Sequence, residues 1–89
     1  PIETNNAAIA QMQQQVEQKV LEIDRRITIH DFRLINCDTH TSIAFDAVIP
    51  YGMRIRPEDL KEKIENKLQE IEGNYQFMIH VDQSYVPVD

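Results

Sequence analysis

The apolar residues of this chain repeat with two different periods, and the order of those periods leaves few architectures open. Ile9, Met12, Val16, Val20 and Ile23 recur at steps of three and four, which lays one apolar stripe along a helix. From Ile27 the pattern turns extended: Phe32 and Leu34 fall on one side, Asp31, Arg33 and Ile35 on the other. Asn36-Cys37-Asp38-Thr39 is turn-like, and Ile43, Phe45, Ala47 and Ile49 then alternate with Ala44, Asp46 and Val48, so the two segments read as a hairpin. Pro50-Tyr51-Gly52 ends it. Leu60, Ile64, Leu68 and Ile71 return to the helical step behind Pro57, a good first helical residue, with Glu58 and Asp59 at the end where the helix dipole favours acids. Phe77, Ile79 and Val81 finally alternate with Met78, His80 and Asp82.

The expected elements are a helix over 7–24 capped by Asn5 or Asn6, a hairpin over 27–49, a helix over 57–72 stopped by Gly73, and a strand over 75–83, in one domain spanning 1–89. The class is α+β in the order α-β-β-α-β. Two helices with one apolar stripe each cover one face of a three-stranded sheet. Alternation assigns Asp31, Arg33, Ile35, Ala44, Asp46, Val48, Met78, His80 and Asp82 to the other face. Its apolar members Ile35, Val48 and Met78 have two readings: scattered residues on a half-solvated sheet, or a subunit interface. Strand order stays open, because the crossover through the second helix fixes only the direction of the last strand relative to the second.

Composition narrows the function classes. The chain has 89 residues, 9 Lys+Arg against 15 Asp+Glu, and a formal net charge of −6. That balance argues against a nucleic-acid or anionic-membrane surface, since phosphate binding needs clustered bases. A domain this small is marginal alone, which makes a partner, a metal or a second subunit a reasonable expectation. No apolar run approaches the roughly 18 residues of a spanning helix. Cys37 is the one cysteine, so no internal disulfide is possible. With two glycines there is no Gly-rich phosphate loop, and no nucleophile–base set has a recognisable context, so the chain reads as not an enzyme.

The residues with chemistry to offer are few. His80 and Asp82 lie two apart on a strand and point to one face; Asp46 projects to that face from the hairpin, and His30 stands where the first strand begins. Imidazole and carboxylate together suit divalent Zn, Mn, Fe or Co. The plainer reading is a surface His paired with an Asp. His40 reads as a solvated turn residue and Cys37 as an inert thiol. Asp31 and Arg33 read as an ion pair within the sheet or across an interface. Glu58 has a sufficient role at the helix start.

Ile29-His30-Asp31-Phe32-Arg33-Leu34 resembles the V-H-D-L-R signature of the cytoplasmic C-terminal domain of cation diffusion facilitator transporters. Ile43-Ala44-Phe45-Asp46-Ala47-Val48 is similar to that family's second strand, and Met78-Ile79-His80-Val81-Asp82 to its terminal I-H-V-D/E strand. The resemblance runs from about Val16 to Ser84. It implies a metallochaperone-like fold, a ferredoxin-like variant, in a homodimeric exporter of divalent cations. The domain would bind a divalent transition metal (Zn, Mn or Fe) near the dimer interface and regulate transport. The family's ligands would fall on His30, Asp46, His80 and Asp82, and a ligand used by some members near Glu58. Asp46 departs from the His often found there, which would shift preference from Zn²⁺ towards Mn²⁺ or Fe²⁺. Metal binds as its ligands lose protons, so affinity is expected to fall as pH drops through the ordinary imidazole range near ~6.5. A chain beginning at Pro1 is then expected to be a soluble piece of a membrane protein, at the cytoplasmic face of the cell membrane. Its partners would be a second copy and the transmembrane domain of its own chain, with no nucleic acid. The alternative is a free-standing ferredoxin-like adaptor or small-ligand sensor with no transporter attached.

Overall fold

The computed structural model describes residues 5–87. Their elements follow the expected order: α1 (Asn5–Ile23), β1 (Thr28–Asn36), β2 (Thr41–Ile49), α2 (Pro57–Leu68) and β3 (Tyr75–Gln83). The three strands form one sheet in the order β1-β2-β3. β1 and β2 pair antiparallel through the hairpin, and α2 carries the chain over to a β3 that runs parallel to β2. β2 is thus the central strand.

The core follows from the two periods. Met12, Val16 and Val20 of α1 and Leu60, Ile64 and Leu68 of α2 are buried against Ile43, Phe45, Ala47 and Ile49 of β2. Ile79 of β3 and Ile27 before β1 complete the cluster, and the Phe32 and Phe45 rings stack with centroids 6.2 Å apart. At the helix surface Lys67 meets Glu22 at 2.7 Å, tying α1 to α2, and Lys19 of α1 meets Glu70, just past the end of α2, at 2.7 Å. The Lys67 ammonium lowers the Glu22 pKa, chiefly through its hydrogen bond.

Several boundaries differ from expectation. Asn5 and Asn6 lie inside α1, so neither caps it; a cap would fall outside the described residues. Helix α2 stops at Leu68, not residue 72, and its C-cap is Gln69. Beyond Leu68 the chain winds down in tighter turns, with Glu70 N–H donating to Lys67 O at 3.1 Å and Ile71 N–H to Leu68 O at 3.0 Å. Ile71 still packs against the core, which is why the stripe extends past the helix. Gly73, at φ 137°, serves the bend into β3. At the other end of the hairpin, Met53 N–H bonds Pro50 O at 3.1 Å, and Gly52 at φ 88° supplies the positive φ of a type II turn.

The largest departure lies within β1. His30 stands opposite Asp46 and Arg33 opposite Ala44, so Asp31 and Phe32 together face Phe45. This is a β-bulge, and Asp31 sits in it with φ 56°. Asp31 is therefore not a regular member of the row-by-row face assigned from alternation. No ion pair joins it to Arg33 among the described residues.

Candidate functional site

Pairing register decides which side chains of different strands share a face, because directly opposed residues point the same way. On the face without helices four rows cross the sheet. They are Ile35–Ser42–Gln76, Arg33–Ala44–Met78, His30–Asp46–His80 and Thr28–Val48–Asp82. The third row brings together three of the residues picked out from the sequence. Neighbouring strands lie about 4.8 Å apart and successive rows on one face about 6.6 Å. The two histidines thus flank Asp46 from opposite sides, with Asp82 one row away.

Hydrogen bonds add a pattern to this row. Each histidine is held by a residue two positions away on its own strand. His80 Nε2 lies 2.8 Å from Asp82 Oδ1, and His30 Nε2 lies 3.0 Å from Thr28 Oγ1. An ionised carboxylate only accepts, so in a neutral imidazole facing ionised Asp82 the proton is on Nε2 and Nδ1 keeps its lone pair. Thr28 escaped the sequence reading. Its signal was there: like Asp82 it lies two residues from a row histidine and so shares its face. Asp46 is half-buried in the central strand, and among the described residues it has no ion-pair partner.

Donor chemistry fits a divalent cation: two imidazoles and two carboxylates on neighbouring rows. The side chains as they stand do not converge, however. Among the described residues no three His, Cys, Asp or Glu side chains are grouped closely enough to hold an ion. The His80 and Asp82 side chains are 67% and 57% exposed and lie 2.8 Å from each other. Glu58 is not brought to the row. It lies in the first turn of α2, exposed, with the Arg56 guanidinium Nε 3.9 Å away.

The remaining candidates find ordinary roles. His40 is half-buried rather than solvated, with Nδ1 at 3.1 Å from Thr39 Oγ1 and Nε2 at 3.2 Å from Ser42 Oγ. It satisfies Ser42, the buried polar residue of β2. Cys37 is a free, exposed thiol at the hairpin tip. Of the apolar residues proposed for an interface, Ile35 and Met78 are 50% and 53% exposed, and Val48 is half-buried. Ile35 and Met78 sit in adjacent rows on the two edge strands, beyond the His–Asp–His row from Val48.

No helix among the described residues is long and apolar enough to cross a membrane. No curated protein matches the sequence. The family model for the cytoplasmic domain of cation efflux proteins matches residues 10–84, a span that holds α2, all three strands, all four rows and most of α1. This chain therefore belongs to the family of cytoplasmic domains of cation efflux proteins.

Proposed function

We propose that the domain senses a divalent transition metal for a cation efflux transporter and couples binding to the arrangement of two copies of itself. The observation that carries this reading is the row His30–Asp46–His80, with a half-buried carboxylate that lies between two imidazoles and has no ion-pair partner among the described residues. A carboxylate partly removed from water without a cation beside it is costly, and a bound cation offsets that cost. His30, Asp46 and His80 would hold the ion. A neutral His80 that donates from Nε2 to Asp82 presents Nδ1, the second-residue support usual for a metal-binding imidazole. Zn, Mn and Fe as divalent ions all accept this mixed nitrogen and oxygen set.

The open face supplies the rest. Exposed Ile35 and Met78, with Val48 beyond the row, give a small domain apolar surface to bury against a second copy. Metal binding beside this surface lowers the negative charge that two acidic copies must bring together. An ion that binds the closer-packed dimer more tightly shifts the population towards it, and in the whole transporter that shift reaches the membrane-spanning part of the same chain. Calorimetry with Zn²⁺ and Mn²⁺ on the wild type and Asp46→Ala, beside sedimentation equilibrium with and without metal, tests this. The expected result is saturable binding that Asp46→Ala weakens by at least about tenfold, or 1.4 kcal/mol, with tighter self-association in metal. Equal binding by both proteins, or self-association indifferent to metal, refutes the proposal.

A further inference from the structure

β1 changes its numbering parity halfway along. Ile27 and Ile29 pack into the core, and so do Phe32 and Leu34. Residues two apart on a regular strand share a face, so Ile29 and Phe32 cannot both meet the helices unless one residue drops out of the alternation. Asp31 is that residue. It is the one non-glycine with positive φ among the described residues, at 56°, and with Phe32 it opposes the single residue Phe45. We infer that Asp31 is a positioning residue, whose left-handed backbone rather than its carboxylate brings His30 into register with Asp46 and His80.

The geometry runs as follows. Phe32 is anchored by stacking on Phe45, and Leu34 by packing in the core. Regular alternation carried back from these two would turn His30 towards the helices and Ile29 towards water. The bulge at Asp31 reverses both, and His30 reaches the open face opposite Asp46. Asp and Asn enter the left-handed region more readily than other L residues, while β-branched residues resist it most. The Asp31 carboxylate has no ion-pair partner among the described residues, so no charge contact accounts for it. The functional consequence, control of metal affinity through His30, rests on the metal reading of the row given above.

Four variants separate backbone from carboxylate. Asp31→Gly and Asp31→Asn keep access to the left-handed region, the first without any side-chain oxygen. Asp31→Val opposes it. Deletion of Asp31 places Ile27, Ile29, Phe32 and Leu34 in strict alternation, which keeps His30 on the open face with no left-handed residue at all. Two readouts are taken: nuclear Overhauser contacts of the His30 ring, and Zn²⁺ affinity by calorimetry. Asp31→Gly, Asp31→Asn and the deletion are expected to keep His30 beside Asp46 and to bind Zn²⁺ within about threefold of wild type, whereas Asp31→Val moves the His30 contacts towards Phe32 and Phe45 and loses at least about tenfold. His30 remaining beside Asp46 in Asp31→Val overturns the inference, as does loss of affinity in Asp31→Gly and Asp31→Asn alike. If Asp31→Val does not fold, the deletion and Asp31→Gly decide in the same way. If the wild type takes up no Zn²⁺, the metal reading falls, and the His30 contacts alone judge Asp31.

Discussion

Ile79 and His80 are neighbours on β3 that should respond to truncation in opposite ways. Ile79 is 6% exposed and belongs to the core beside Phe45, its partner on β2. The His80 side chain is 67% exposed and touches Asp82. A buried Ile→Ala change costs about 2–5 kcal/mol through lost transfer energy and the cavity left behind. β3 is an edge strand where neighbours can partly collapse, so about 3 kcal/mol is the expectation for Ile79→Ala. A chain of 89 residues has a total stability of roughly 4–13 kcal/mol. The change therefore removes roughly a fifth to three quarters of it, and lowers Tm by about 12–24 °C at ~4–8 °C per kcal/mol. His80→Ala deletes one exposed contact and is expected to cost under about 1 kcal/mol. Urea unfolding followed by circular dichroism, metal-free and at one fixed protomer concentration, gives both values; concentration is fixed because association adds to apparent stability. Metal affinity should divide the other way, with His80→Ala weakening Zn²⁺ binding and folded Ile79→Ala retaining it. If His80→Ala unfolds the domain as Ile79→Ala does, the assignment of His80 to the open face is wrong, and the row with it.

Three further outcomes follow from the same geometry. Replacing both Ile35 and Met78 by Glu should weaken self-association by at least about tenfold in sedimentation while leaving the dichroism spectrum unchanged, since both side chains are half exposed; undiminished association would remove this face as the interface. Asp46→His exchanges a hard oxygen for a softer nitrogen and should move the ratio of Zn²⁺ to Mn²⁺ affinities towards zinc by on the order of tenfold, with an unchanged ratio counting against Asp46 as a ligand. Asp24, hydrogen-bonded to the Arg26 side chain and backbone, has its pKa lowered from 3.8 to about 2. Its charge therefore stabilises the fold above the ordinary carboxylate range and is lost as pH falls through that range towards about 2. Thermal melts of wild type and Asp24→Asn should differ at pH near ~6 and converge near pH ~2; a constant difference would mean that charge is not what Asp24 contributes.

Legibility in the sequence depended on how local the cause was. The apolar period set element type and order, and β3 runs over Tyr75–Gln83 as the pattern indicated. That Asp46, His80 and Asp82 share one face was likewise plain, since two-residue spacing on a strand fixes a shared side, whereas strict alternation back from Arg33 does not put His30 there. Ends were less legible. The stripe to Ile71 overran α2 because a side chain can pack on the core after its backbone has left the helix. Glu58 was a ligand candidate through the family resemblance, and the fold sets it at the start of α2 beside Arg56.

Sequence by itself determined that the chain has two one-sided helices and three strands, and that Asp46, His80 and Asp82 fall on positions the helices do not cover, because burial of apolar surface needs only the local period to act. It did not determine which strand is central, nor the row on which His30, Asp46 and His80 meet. Those depend on register, a relation between segments distant in the chain, and on one left-handed residue, Asp31, that shifts half a strand by one position. The parity change between Ile29 and Phe32 was present in the sequence; only packing against Phe45 decides that the backbone, and not a side chain, yields to it.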